Sequence, residues 1–129
     1  MLKTGLIGRE QVIVSLSKSA KEMGSGSLEV FATPALCALM EAASVNALSG
    51  ALEQGQTTVG MSMNLKHTSP TPLGMTVGAE SELVEIDGRR LVFKITAYDK
   101  AGEIGSALHE RMIVDGARLQ AKANAKIHA

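Results

Sequence analysis

TPALCALMEAASVNALSGAL, running from Thr33 to Leu52, is the stretch that decides the fold. Thr33 is a favoured N-cap residue, and Pro34 suits the first helical position, where a missing N–H costs nothing. Leu36, Leu39, Met40, Ala43, Ala47, Leu48 and Ala51 then recur at three- and four-residue spacing and make an apolar face. The other face is mild as well, built from alanines with Ser44, Val45, Asn46 and Ser49. Between Pro34 and Leu52 the only charged residue is Glu41. A helix this apolar all round is meant to be covered on most sides. Its lone carboxylate is therefore the most informative residue in the chain.

The segments on either side supply the cover. Met1–Arg9 carries no strong pattern. Glu10–Ser17 alternates, with Val12, Val14 and Leu16 on one side, and reads as a strand. Lys18–Ser27 contains Gly24-Ser25-Gly26 and reads as a loop, and Leu28–Phe31 as a short extended lead into the helix. After the helix, Thr57–Thr68 alternates cleanly. Val59, Met61, Met63, Leu65 and His67 fall on one face, and Thr58, Ser62, Asn64 and Lys66 on the other. Ser69-Pro70-Thr71-Pro72 breaks that strand. Leu73–Ile86 is the next, with a phase change that predicts a bulge near Glu80–Val84. Asp87-Gly88 signals a hairpin turn. Arg90–Tyr98 and Glu103–Val114 are the last two strands, joined by a turn at Asp99–Gly102. Asp115–Ala129 reads as a short terminal helix.

Strand, helix, then four long strands is an α+β pattern. Twelve strand residues span about 40 Å and the helix about 28 Å. A curved antiparallel sheet of about five strands can thus wrap the helix lengthwise, which is the hotdog fold, in a single domain over residues 1–129. Such a sheet leaves edges that a small subunit has few ways to cover. The expectation is a homodimer with a shared sheet, or a tetramer of such dimers.

Composition narrows the function. Thirteen basic and 13 acidic residues give a formal net charge of zero, and aromatics make up 2% of the chain, so there is no electrostatic case for nucleic acid and no base-stacking platform. Cys37 is the one cysteine, which rules out an intrachain disulfide and a thiolate-rich zinc site. Three scattered histidines lack metal-ligand spacing, so no metal or other cofactor is expected. The N-terminus lacks the layout of a signal peptide, and Glu41, Ser44, Asn46, Ser49 and Gly50 argue against a membrane span. A cytoplasmic protein without membrane or nucleic-acid partners is expected.

Candidates for chemistry are few. Glu41 is either a carboxylate on one wet stripe or in a salt bridge to a strand arginine, or a group at a cavity or interface suited to act as base or nucleophile. His67 ends the apolar face of its strand just before the Pro-rich break, where a cleft would open. There its imidazole could shuttle protons. Thr33 is explained by capping alone, yet it lies eight residues from Glu41, about 12 Å along the helix. A substrate, His67 or a second subunit would have to fill that gap. The N–H groups at this helix end suit a developing oxyanion. His109 alternates with Glu103 and Arg111 and is expected at the periphery. His128 is expected in solvent, and Cys37 in packing.

Three runs resemble one family. They are Ala32-Thr33-Pro34-Ala35 with Leu39-Met40-Glu41, then Thr58-Val59-Gly60 followed by His67-Thr68, and Gly105–His109-Glu110-Arg111. Together they look like the fluoroacetyl-CoA thioesterase-like branch of the hotdog superfamily, over roughly Glu10 to Leu119. The resemblance implies a catalytic constellation of Thr33, Glu41 and His67, with Gly60 and Arg111 lining the pocket. The implied substrate is a short or small acyl-CoA thioester, cleaved to the free acid and CoA, with Glu41 as either nucleophile or general base. Lys18–Ser27 lacks the aromatic lid residues of the family's namesake, so no preference for a fluorinated acyl group is expected. The competing class is a non-catalytic acyl-CoA-binding hotdog module. A hydratase is disfavoured because no Asp/His pair has the required spacing.

Overall fold

The apolar helix is enclosed on one side by a sheet whose strands lie where the alternation places them, with shifts at the ends. The computed structural model describes every residue, Met1–Ala129. Its strands are β1 (Ile7–Ile13), β2 (Gln56–His67), β3 (Thr76–Asp87), β4 (Arg90–Asp99) and β5 (Gly102–Asp115), and its helices are α1 (Ala20–Met23), α2 (Thr33–Ala47) and α3 (Gly116–Ala125). The strands form one antiparallel sheet in the order β1-β3-β4-β5-β2. This sheet wrapped on a helix is the expected hotdog arrangement. No helix is long and apolar enough to cross a membrane.

The core lies between α2 and the concave face of the sheet. Leu36, Met40 and Ala43 from the helix meet Val77, Leu83, Leu91, Phe93 and Ile95, all fully buried. Burial of each large aliphatic side chain contributes about 1.5–3 kcal/mol. The helix and the sheet come into backbone contact at Gly8. A Cβ there would overlap the Ala43 carbonyl oxygen and the Ala47 nitrogen, so only glycine lets the two backbones touch. Axial register is pinned by a buried pair: Ser44 Oγ donates to the Met40 carbonyl (3.0 Å) and lies 2.8 Å from Ser81 Oγ.

Several boundaries differ from the sequence reading. The helix stops at Ala47 instead of Leu52, because its last turn tightens into i→i+3 bonds from Leu48, Ser49 and Ala51. Ala32, and not Thr33, is the N-cap, and it has no side-chain capping bond, so Thr33 is free for another partner. The first strand runs from Ile7 to Ile13 in place of Glu10–Ser17. The third strand starts at Thr76, after a turn in which the Met75 N–H donates to the Pro72 carbonyl. Lys18–Ser27 is not a plain loop: a 3-10 turn over Leu16–Lys18 leads into α1, which Ser19 caps through the Glu22 N–H. This excursion closes on itself through Ala20 N–H to Val30 O, Lys21 N–H to Leu28 O and Ala32 N–H to Lys18 O.

The bulge anticipated near Glu80–Val84 is present, with the pairing slipping between Leu83 and Glu85. Two others were not anticipated. Met61 is an extra residue in β2, since Gly60 pairs with Arg111 and Ser62 with Glu110. Ile104 is skipped where Ala97 pairs with Gly105 and Tyr98 with Glu103. Each bulge reverses which alternate residues face inward. Met61 is therefore 59% exposed instead of sharing an inward face with Met63, which is half-buried. Thr58 faces the helix side, against the sequence reading.

Candidate active site

Thr33 opens α2, and His67 closes β2. A hydrogen bond joins them, with Thr33 Oγ1 and His67 Nδ1 2.8 Å apart. The hydroxyl that the sequence suggested as a cap is thus spent on the imidazole. His67 Nε2 is buried and has no partner in the chain. A buried polar atom without a partner is costly, so such an atom next to a cleft marks a place for a ligand group. The cleft is a groove of about 270 Å³ lined by Ala20, Val30, Phe31, Thr33, His67 and Ser69 among others. At this end of the helix Pro34 has no N–H, so the available donors are the N–H groups of Thr33 and Ala35.

Glu41 lies two helical turns further along and does not touch Thr33 or His67. It pairs instead with a strand arginine: Arg111 Nη1 donates to Glu41 Oε2 at 3.1 Å, with the arginine side chain 7% exposed and the glutamate 42%. Arg111 Nε donates to Thr58 Oγ1 (2.9 Å), and its Nη2 to the Thr58 carbonyl (3.1 Å). Gly60 sits directly over this cluster. A Cβ at that position would lie 2.5 Å from Glu41 Oε2, so a side chain would displace the carboxylate. The five residues singled out from sequence therefore fall into two groups, Thr33 with His67 and Glu41 with Arg111 and Gly60.

His109 is the correction. It is 1% exposed and not peripheral. The bulge at Ile104 puts Glu103 outside while Gly105, Ala107, His109, Arg111 and Ile113 face inward. Its Nδ1 lies 2.7 Å from the Ser62 carbonyl, and its Nε2 lies 3.1 Å from Arg111 Nη1. Spacing two from Ala107 through Ile113 was the signal available in the sequence. The charged residues on that face hid it. Cys37 is half-buried, and its thiol is pushed up by burial and by Glu41, as befits a packing residue and not a nucleophile.

Both active-region histidines are held below the usual histidine range. Burial lowers His67, and the Ser69 backbone opposes it. Burial also lowers His109, the Ser62 carbonyl opposes it, and the Arg111 cation adds to the lowering. Both are therefore neutral in the folded chain at pH 7. The unfolded chain binds more protons than the folded one below about pH 6.5, so stability falls as the pH is lowered through that point. Thermal unfolding followed from pH 7.5 to 5 should show Tm declining below pH 6.5, with proton uptake on unfolding. A flat Tm across that window would contradict neutral burial of the pair.

Comparison with known proteins comes down to one group. A family profile described as fluoroacetyl-CoA-specific thioesterase matches residues 14–117. The chain is 41% identical over 101 residues to the fluoroacetyl-CoA thioesterase of Streptantibioticus cattleyicolor, covering 78% of this chain and 73% of that protein. The crystal structure of the fluoroacetyl-CoA thioesterase FlK superimposes with a TM-score of 0.90 at 32% identity, covering 98% of both chains. A FlK variant in complex with acetyl-CoA gives a TM-score of 0.91 at 33% identity, covering 97% of this chain and 98% of that one. A thioesterase-superfamily protein of Thermus thermophilus shares the fold at a TM-score of 0.89 and 22% identity, covering 99% of this chain and 95% of that one.

Proposed function

Because the chain belongs to the fluoroacetyl-CoA-specific thioesterase family of hotdog proteins, we propose that it is an acyl-CoA thioesterase, cleaving a small acyl-CoA to the free acid and CoA. The observation that carries this reading is the Thr33–His67 hydrogen bond beside the groove, with the unpartnered Nε2 of His67. The thioester carbonyl sits at the start of α2, where the Thr33 and Ala35 N–H groups receive the oxyanion. Glu41 takes a proton from water, and the resulting hydroxide adds to the carbonyl carbon. As the carbon–sulfur bond breaks, the proton taken by Glu41 passes to the departing thiolate, and the Nε2–H of the neutral His67 donates a hydrogen bond that orients the exchange. With Oε2 engaged by Arg111, Glu41 Oε1 is the oxygen that meets the water in this scheme.

Thr33 and Glu41 lie about 12 Å apart along one helix, so the working unit is a homodimer in which Glu41 of one subunit serves the Thr33–His67 pair of the other. Two features support it. The stripe of α2 carrying Pro34, Ala38, Ala42 and Val45 is uncovered, and Glu41 stands beside it. The outer edge of β2 is unpaired and offers backbone donors and acceptors to a second copy. Acyl-CoA is an intracellular metabolite, so the same reading places the enzyme in the cytoplasm.

The test is free-thiol release from a panel of acyl-CoA esters. Acetyl- and propionyl-CoA should be hydrolysed faster than long-chain esters, given a groove of about 270 Å³. Fluoroacetyl-CoA should match acetyl-CoA within about tenfold in kcat/KM, since Lys18–Ser27 offers no aromatic side chain to discriminate. A far larger preference for the fluorinated ester would sink the second expectation. Binding of short acyl-CoA with no thiol release would make the protein a binding module.

A further inference from the structure

We propose that His109 is a positioning residue for the Glu41 carboxylate, acting through Arg111. The proposal rests on the thioesterase reading above. Four groups form one directed chain: the Ser62 carbonyl, His109, Arg111 and Glu41. Its direction follows from chemistry. A carbonyl oxygen only accepts and a guanidinium only donates, so His109 is neutral, with its hydrogen on Nδ1 and a bare Nε2. Arg111 Nη1 then gives one hydrogen to His109 Nε2 and the other to Glu41 Oε2, each at 3.1 Å.

Thr58 fixes the far edge of the guanidinium through Nε and Nη2, while His109 sets its tilt. Without an acceptor at 109, a buried Nη1 hydrogen has no partner, which is unfavourable. The guanidinium then turns to offer both Nη1 hydrogens to the carboxylate and draws Glu41 down onto β5. The three side chains meet under Gly60, where a Cβ would lie 2.5 Å from Glu41 Oε2 and 3.5 Å from both Arg111 Nη1 and His109 Cε1, so the carboxylate keeps this place only beside a glycine.

An apolar side chain would fill position 109 with less desolvation. Phe93 already packs there, its ring centroid 6.2 Å from that of the imidazole. The chain instead buries an imidazole whose two nitrogens are both used. The charged groups facing His109 are Arg111 from its own strand and Glu41 from α2. β2 and β4 present the neutral Ser62 carbonyl and the Phe93 ring. A proton on Nε2 would set donor against donor, so the same chain releases Glu41 when His109 is charged.

The experiment is a double-mutant cycle in the full-length protein, reading thiol release from acetyl-CoA and Tm together. His109→Leu should lower kcat by about 10²-fold, the scale of a misplaced catalytic group. KM should stay within about twofold, because 109 does not touch substrate. His109→Gln, whose amide oxygen can accept the Arg111 hydrogen, should restore most of kcat. In a Glu41→Gln background His109→Leu should add no further loss. Wild-type kcat in His109→Leu, or the same fractional loss with and without Glu41, would overturn the proposal while leaving the thioesterase reading intact. A fully active Glu41→Gln would overturn the thioesterase role of Glu41 and this inference with it. Should the leucine variant fail to fold, 15N chemical shifts of the wild-type imidazole decide at pH 7. A protonated Nδ1 with bare Nε2 is expected, and the opposite tautomer or an imidazolium refutes the chain.

Discussion

Glu41→Gln should lower kcat by about 10²–10⁴-fold, the range for a positioned general base. That corresponds to about 3–5 kcal/mol of transition-state stabilisation. The amide keeps the shape and can still accept from Arg111, but it cannot take a proton from water. Stability should drop by only about 1 kcal/mol, because the carboxylate is 42% exposed and its pairing is screened by solvent. His67→Ala should be similarly inactive. Mixing the two variants then separates two geometries. If Glu41 serves the Thr33–His67 pair of a second subunit, a dimer of one Glu41→Gln chain and one His67→Ala chain holds one intact site. Random reassortment makes half the dimers mixed, so about a quarter of wild-type activity should return. Thiol release before and after co-refolding measures it. No recovery in confirmed mixed dimers would put all three groups to work within one chain, and the shared site would be wrong.

Gly8→Ala is expected to have the largest effect on stability, costing about 3 kcal/mol or more. The added methyl would strike the Ala43 carbonyl oxygen, the Ala47 nitrogen and the Ala47 Cα, which are backbone atoms of α2 and cannot swing aside. Relief requires the helix to move off β1. That strains the Ser44–Ser81 bond and loosens the Leu36, Met40 and Ala43 packing beneath it. Urea denaturation reads the cost as a lower midpoint at unchanged slope. An unshifted midpoint would mean that α2 does not rest on β1 at Gly8.

Much of this could be read before the fold was known. Alternation fixed β4 and β5 to within a residue or two, and apolar spacing placed α2, because burial on one face imposes those periods. Glu41 stood out because a lone charge on an apolar helix needs a reason. Bulges were the main source of error. Met61 and Ile104 each reverse the inward face, so Thr58 and His109 were assigned outward although both contact Arg111. A bulge is a local backbone choice that leaves little trace in side-chain type. The Thr33 hydroxyl was read as a cap because local propensity cannot see His67, which lies 34 residues away in the chain.

The excursion from Leu16 to Phe31 is tied mostly to itself, through Ala20 to Val30 and Lys21 to Leu28, and reaches the rest of the chain at few points such as Phe31 N–H to the Thr71 carbonyl. It supplies Ala20, Ser25 and Val30 to the wall of the groove, whereas Thr33, Glu41, His67 and Arg111 all stand on the long helix and the sheet. Heritable change can therefore fall on the two parts independently. Substitutions in this segment alter the room and polarity offered to an acyl group while the hydrogen-bonded groups behind it keep their distances. A lineage carrying this scaffold can change its diet of thioesters by small steps, each folded and active, without passing through an inert intermediate.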